Sequence, residues 1–233
     1  MDATGTRAVP DVRWGGLRLF GATLVYGVVL FGAAGTVRWS GGWAYLAVMA
    51  GVLVVYGHVA GRHPGLVAER TRPPKDAEKW DRPLVALIGV VGPFAFVVLS
   101  GLDRRYRWSP SVPGWWTLAG LVAVAAGGAL TNWAVAANGF FSALVRIQRD
   151  RDHVVVDGGP YRFVRHPGYL GSLLAMPGAA AALGSRWALV PVAVTAVLIV
   201  IRTALEDRTL HRELQGYAVY AQQTRFRLVP GLW

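Results

Sequence analysis

The sequence predicts an all-α integral membrane protein with five or six transmembrane helices, a charged cytoplasmic loop and a C-terminal amphipathic helix. Of its 233 residues 54% are hydrophobic and 16% are charged, whereas soluble domains have about 25% charged residues. Several apolar runs are long enough to cross a hydrocarbon layer of about 30 Å. The basic residues, which give a net charge of +11, are concentrated in alternate loops, as the positive-inside rule requires.

Four apolar runs are predicted as spans because each contains about 20 residues, the length of one helical crossing. They cover residues 17–37, 43–61, 83–102 and 115–137. Trp43 and Trp115 stand where two of these runs begin, which is typical of side chains at a membrane interface. We therefore assign residues 1–137 to an N-terminal region of four transmembrane helices.

Residues 169–183 and 187–205 predict a helical hairpin, because only Gly184, Ser185 and Arg186 separate them. The first of these runs contains Pro177 and has about 15 residues, fewer than a full span requires. It is predicted to be tilted, re-entrant or partly buried in protein. The number of spans therefore stays at five or six.

The distribution of charge predicts the topology. With six spans and a cytoplasmic N-terminus, 19 of the 24 Lys and Arg residues lie inside. The outer ones are Arg38, Arg104, Arg105, Arg107 and Arg186. This bias explains the high isoelectric point without a nucleic-acid partner, and it predicts that residues 138–168 and the C-terminal end face the cytoplasm. The membrane expected is the plasma (inner) membrane.

Two charged segments remain outside the spans, and they differ in character. Residues 62–82 mix basic and acidic side chains, which is typical of a solvated connector. Residues 138–168 combine aromatic, glycine, histidine and arginine residues, with an extended run at Val154, Val155 and Val156 and a turn at 157–160. The chemistry is therefore expected in residues 138–233, which form the second predicted region.

Pro167 favours a bend at His166, followed by a helix that begins near Gly168 or Tyr169. A helix start presents free N–H groups, which suit a carboxylate or a phosphate. The chain has no cysteine and no metal-binding histidine spacing, so no metal site is predicted.

Arg202 and Glu206 are four residues apart and share one helix face at the cytoplasmic end of the last span. They form either an ordinary surface ion pair or part of a site. The following amphipathic helix is predicted to be interrupted at Gly216 and to cover the site; its apolar residues are Leu205, Leu210, Leu214, Tyr217 and Tyr220.

Taken together, these stretches resemble the isoprenylcysteine carboxyl methyltransferase family and its relatives, the phospholipid N-methyltransferases. The resemblance covers residues 138–233. It is carried by His153 with Val154, Val155 and Val156, by Gly159-Pro160-Tyr161, by Arg165-His166-Pro167-Gly168-Tyr169, by Arg202 and Glu206, by Gly216-Tyr217 with Tyr220, and by Arg227-Leu228-Val229-Pro230.

The resemblance implies an enzyme that uses S-adenosylmethionine. It assigns cofactor binding to His153, Val154, Val155, Val156, Tyr161, His166, Pro167, Gly168, Tyr169 and Glu206, with Gln148 as the candidate for a further amide ligand. Arg202 and Glu206 are the catalytic candidates, and Arg202 faces the methyl acceptor.

The implied acceptor is lipid-like or small and apolar, and its reactive end is either a carboxylate, which a guanidinium could hold bidentately, or another nucleophile such as an amine. A carboxylate needs no general base, whereas an amine has to lose a proton, for which His166 is the candidate.

Two alternatives stay open. Membrane sterol reductases have a similar loop and tail but bind NADPH, and they usually carry Arg-Asp-Glu after the last span where this chain has Glu206-Asp207. A non-catalytic lipid-binding membrane protein would explain the helices but not the combination of loop and tail.

Overall fold

The computed structural model describes residues 12–63, 66 and 76–233, and these residues form α-helices joined by loops and short turns. The helices are α1 (Val12–Ala34), α2 (Ser40–Gly61), α3 (Asp81–Tyr106), α4 (Gly114–Ala137), α5 (Pro167–Leu183), α6 (Leu189–Glu213) and α7 (Tyr217–Gln223). Short 3-10 turns at Arg149–Arg151 and Gly159–Arg162 interrupt the loop between α4 and α5.

Among the described residues, α2, α3, α4 and α6 are long and apolar enough to cross a membrane. The predicted all-α membrane architecture is confirmed. The observed limits differ mainly at the start of α3 and at the end of α6, since α3 begins at Asp81 and α6 continues to Glu213. These extensions contain charged residues and pack against the α4–α5 loop. A prediction from the length of apolar runs ends before them for that reason.

Helix α5 runs without a break through Pro177 and packs along α4. Of the three predicted alternatives, the structure shows burial in protein. Glycines allow the two backbones to touch: a Cβ at Gly127 would collide with the carbonyl oxygen of Gly171, and a Cβ at Gly120 would lie 2.5 Å from that of Gly178. Small residues at such positions are the usual basis of helix packing in membranes.

Helix α3 contains one π-helical stretch, Leu87–Val91. Immediately after it, Gly92 lies against α6, and a Cβ at this position would be 2.5 Å from Oγ1 of Thr195. At the far end of α3, buried Asp103 accepts hydrogen bonds from Ser109 and from Oγ of Ser185 in the α5–α6 turn. Helix α3 is therefore attached to the α5–α6 hairpin at several levels.

The segment 62–82 and the segment that follows the last span differ in part from expectation. Helix α6 incorporates Leu205 and Leu210, and the predicted interruption lies at Gly216, whose φ of +84° suits glycine. In the segment 62–82, residues 64, 65 and 67–75 lie outside the described residues. Its end is not a solvated connector, since Asp81 is fully buried.

Candidate active site

A cavity of about 700 Å³ lies between α2, α3, α5 and α6 and is closed at one end by the α4–α5 loop and α7. Its polar end is formed by the loop, the bend before α5 and the last turns of α6. Among the described residues no group of His, Cys, Asp and Glu side chains could hold a metal ion.

The remainder of the cavity is an apolar shaft. Its wall includes Tyr45, Met49, Leu53, Ile88, Phe96, Met176, Val192 and Ile199. On α6 the lining extends from Arg202 back to Pro191, eleven residues earlier, which corresponds to about 16 Å at the rise of an α-helix. The shaft therefore reaches about half-way through a hydrocarbon layer of about 30 Å.

Glu206 lies in the wall at the polar end. The hydroxyl of Tyr169 donates a hydrogen bond of 2.6 Å to Oε2 of Glu206, while Oε1 has no partner among the described residues. One carboxylate oxygen is thus held by the protein and the other is available to a ligand that carries donors.

Arg202 also lines the cavity, but its principal partner is Asp81 rather than Glu206. Its Nε and Nη2 donate to the two carboxylate oxygens of Asp81 at 2.6 and 2.8 Å, and Nη2 also donates to the carbonyl of Ala143 at 2.8 Å. The planar fork expected to hold an acceptor carboxylate is therefore occupied. Only Nη1 lacks a partner among the described residues.

The guanidinium of Arg202 lies over the ring of Tyr169, with Cζ 5.3 Å from the ring centroid. Such stacking favours a planar cation. Because Tyr169 also holds Glu206, the two candidate catalytic side chains are connected through one aromatic ring.

His153 faces the cavity from the loop. Its ring stacks on Phe140 with centroids 4.5 Å apart, and its Nδ1 accepts a hydrogen bond of 3.3 Å from the backbone N–H of Gln148. Burial lowers the pKa of His153 to about 4, and the nearby charges of Arg151 and Arg146 add to this effect. The imidazole is therefore neutral at pH 7, and Nε2 carries the proton.

Val154, Val155 and Val156 form an extended stretch along the cavity wall. Their backbone N–H and C=O groups make no hydrogen bond to the described residues. Val154 is exposed and Val155 and Val156 are partly buried, so these donors and acceptors remain for water or for a ligand at the cavity wall.

Tyr161 is anchored by the elements around it. Its hydroxyl accepts a hydrogen bond from Nδ2 of Asn138, and its carbonyl accepts one from the hydroxyl of Tyr220 and one from Oγ1 of Thr224. Burial raises the pKa of Tyr161, so its hydroxyl stays protonated. The segment that follows α6 thereby supports the cavity wall.

The bend before α5 is held by buried Asp207. This carboxylate pairs with Arg165 at 3.0 Å and with Arg227 at 2.8 Å, accepts a bond from the hydroxyl of Tyr217 at 2.9 Å, and lies 3.5 Å from Nε2 of His166. The backbone N–H groups of Arg165 and His166 donate to carbonyls of the C-terminal tail. The tail and the bend are thus joined to α6 by one carboxylate.

Most of the predicted site residues line this cavity together: His153, Val154, Val155, Val156, Tyr161, His166, Gly168, Tyr169, Arg202 and Glu206. Pro167 and Gln148 do not. Gln148 is fully buried, and its amide bonds the carbonyl of Phe140 and the guanidinium of Arg151. Its position supports a role in shaping the loop rather than in contacting a cofactor.

Sequence reasoning missed Asp81 and Asp207. The signal for Asp207 was present, because it is an acidic residue beside Glu206 in a chain with few acids and many arginines. Asp81 offered no local signal, since its partner is 121 residues away.

Comparison with known proteins agrees with this geometry. Residues 115–215 match the family model of phospholipid methyltransferases. This match confirms the predicted family resemblance. It covers α4, the loop, α5 and α6, which together carry most of the polar end of the cavity.

The fold is also similar to the solved structure of a eukaryotic intramembrane Ras methyltransferase, isoprenylcysteine carboxyl methyltransferase. The TM-score is 0.52 at 19% sequence identity, over 91% of this chain and 74% of that chain. At this identity the likeness establishes a shared fold. No curated protein sequence matches the chain significantly. The two matches together support a membrane methyltransferase.

Proposed function

We propose that this protein transfers a methyl group from S-adenosylmethionine to a lipid-like or small apolar acceptor. The observation that carries the proposal is the two-part cavity. Its polar end contains a carboxylate oxygen and a row of backbone groups that have no partners within the described part of the chain, and it continues into an apolar shaft about 16 Å long.

The polar end fits the cofactor chemically. S-adenosylmethionine carries an ammonium and a sulfonium, which suit the carboxylate of Glu206, and it carries an adenine whose edge suits the free N–H and C=O groups of 154–156. When bound, it supplies a methyl group on a positively charged sulfur, and the electron pair of the broken bond stays on that sulfur.

The protein's own residues then have to position the acceptor and exclude water. Nη1 of Arg202 has two N–H donors for the polar end of the acceptor, while the shaft takes its apolar part. An acceptor carboxylate is already a nucleophile. An amine would first lose its proton, and His166, with Asp207 at 3.5 Å, is the group we assign to receive it.

The proposed location is the plasma membrane, with the cavity's polar end in the cytoplasm, where the cofactor is made. The excess of basic residues in the segments assigned to that side supports this orientation.

Calorimetric titration of the purified chain in detergent tests the cofactor. We expect binding of S-adenosylmethionine and of its demethylated product, and no binding of NADPH. Binding of NADPH alone would move the assignment to a membrane reductase.

Transfer of labelled methyl from the cofactor into a total membrane lipid extract tests the acceptor class, and label confined to water-soluble macromolecules would refute a lipid-like acceptor.

A further inference from the structure

We propose that Asp81, at the start of α3, is a positioning residue that holds Arg202 in the orientation required for methyl transfer. The proposal rests on the proposed function. It assigns a role in the reaction to the N-terminal part of the chain, since Asp81 precedes the residues 115–215 that match the family.

Asp81 makes its contacts with Arg202 and Val145 and not with the cavity. Oδ1 accepts from Nε of Arg202, and Oδ2 accepts both from Nη2 of Arg202 and from the backbone N–H of Val145 at 2.7 Å. Asp81 is fully buried and is absent from the cavity wall, whereas Arg202 lines it. Asp81 therefore acts through Arg202.

Asp81 binds the Nε–Nη2 edge of the Arg202 guanidinium, and this determines which N–H donors of Arg202 face the cavity. Because Asp81 takes Nε and Nη2, and Ala143 takes a further hydrogen of Nη2, the guanidinium plane is fixed and Nη1 remains. The same orientation places the guanidinium over Tyr169, whose hydroxyl holds Glu206. Loss of Asp81 would free Arg202, which we assign to the acceptor, before it disturbs Glu206, which we assign to the cofactor, because Glu206 keeps its own hydrogen bond to Tyr169.

Asp81 also joins three separate segments at the site. Val145 donates its N–H to Asp81 and accepts one at its carbonyl from the N–H of Glu78, and Oγ1 of Thr209 on α6 lies 3.4 Å from Glu78. The start of α3, the α4–α5 loop and α6 therefore meet around one buried ion pair. Buried pairs of this kind are better explained by specificity of geometry than by stability.

The test compares Asp81→Asn with Asp103→Asn. Both changes remove a buried carboxylate charge from an end of α3, but Asp103 bonds only serines and lies away from the cavity. We expect Asp81→Asn to reduce turnover with labelled S-adenosylmethionine and total lipid extract on the order of 100-fold, as expected for a misplaced group. Affinity for the demethylated cofactor, measured by calorimetry, should change less than about threefold. Asp103→Asn should retain wild-type turnover per folded molecule.

A double-mutant cycle separates positioning from folding. If Asp81 acts through Arg202, adding Asp81→Asn to Arg202→Gln should cause no further loss of turnover. The double variant removes both charges of the pair, so no buried charge is left unpaired. An equal loss in both backgrounds, or wild-type turnover in Asp81→Asn, would overturn the proposal. Absence of methyl transfer and of cofactor binding in the wild-type chain would instead refute the proposed function.

Discussion

Glu206 and Arg202 lie one helical turn apart on α6, yet they have different partners. Glu206 is held by Tyr169 and keeps one free oxygen, whereas Arg202 is paired with Asp81. The sequence predicted that both side chains share a face. It could not predict that Asp81 would take the fork of Arg202, because that contact depends on how α3 packs beside α6.

Glu206→Gln should weaken cofactor binding, while Arg202→Lys should leave binding nearly intact and lower turnover. The lysine keeps the charge but not the planar fork. We expect losses of about 2–4 kcal/mol in the affected step, or roughly 30- to 1,000-fold, because charged contacts in a desolvated site are strong. Calorimetry and labelled-methyl assays separate the two effects.

Glu213→Gln is the matched control for Glu206→Gln. Glu213 lies on the same helix in an exposed pair with Arg149 at 3.5 Å, and such pairs contribute at most about 1 kcal/mol. It should behave like wild type. Normal cofactor affinity in Glu206→Gln would remove Glu206 from the site.

The low pKa of His153, about 4, makes stability dependent on pH. An unfolded histidine titrates near pH 6.5, so between about pH 6.5 and 4 the unfolded chain binds a proton that the folded chain does not. Stability should therefore fall as pH falls through this window. His153→Gln should flatten the dependence, as measured by thermal unfolding midpoints in detergent at pH 7.5, 6 and 5. Equal slopes for wild type and His153→Gln would show that His153 does not titrate in this window.

At the scale of elements, the π-helical stretch of α3 determines where Asp81 points. An α-helix turns about 100° per residue, so eleven residues would place Asp81 and Gly92 on nearly the same face. The π turn adds one residue and rotates Asp81 by about 100° relative to Gly92, which is packed against Thr195. Asp81 therefore approaches Arg202 from a different face of α3 than the face on which Gly92 meets Thr195.

Insertion of one alanine after Gly89 should turn Asp81 away from Arg202 by about 100°. Turnover should fall on the order of 100-fold, since the positioning contact is lost. Deletion of Gly89 is the control, because the ten residues that remain between Asp81 and Gly92 form a regular α-helix that turns through the same angle as the present eleven with their π turn. Labelled-methyl assays on both proteins provide the measurement, and normal turnover in the insertion variant would argue against this role of the orientation of Asp81.

The packing of α5 on α4 was only partly predictable from the sequence. The short run with Pro177 indicated an unusual helix, but not that Gly171 and Gly178 lie against Gly127 and Gly120. Contacts between glycines have no periodic hydrophobic signal, because the pairing depends on the backbones of both helices.

For the whole molecule, reporter fusions at Asp152 and after Trp233 should both report the cytoplasm. The six-span arrangement, which places 19 of the 24 Lys and Arg residues inside, is the physical reason. A fusion after Arg107 should report the opposite side and serves as the control. An extracytoplasmic C-terminus would refute the six-span arrangement, and an extracytoplasmic Asp152 would place the polar end of the cavity away from the cofactor.

The sequence by itself determined the membrane class, the approximate spans, the bend at His166 and most of the residues that line the polar end of the cavity. These features depend on local composition and on short spacings, which can be recognised in a single sequence. Only the tertiary structure decided that Asp81 occupies the fork of Arg202, that Asp207 joins the bend to the tail, and that Gln148 is buried behind the wall. The first two depend on buried charges finding partners far away in the sequence, since an unpaired buried charge is too costly to persist. The burial of Gln148 depends on how the α4–α5 loop folds around its amide, which bonds Phe140 and Arg151.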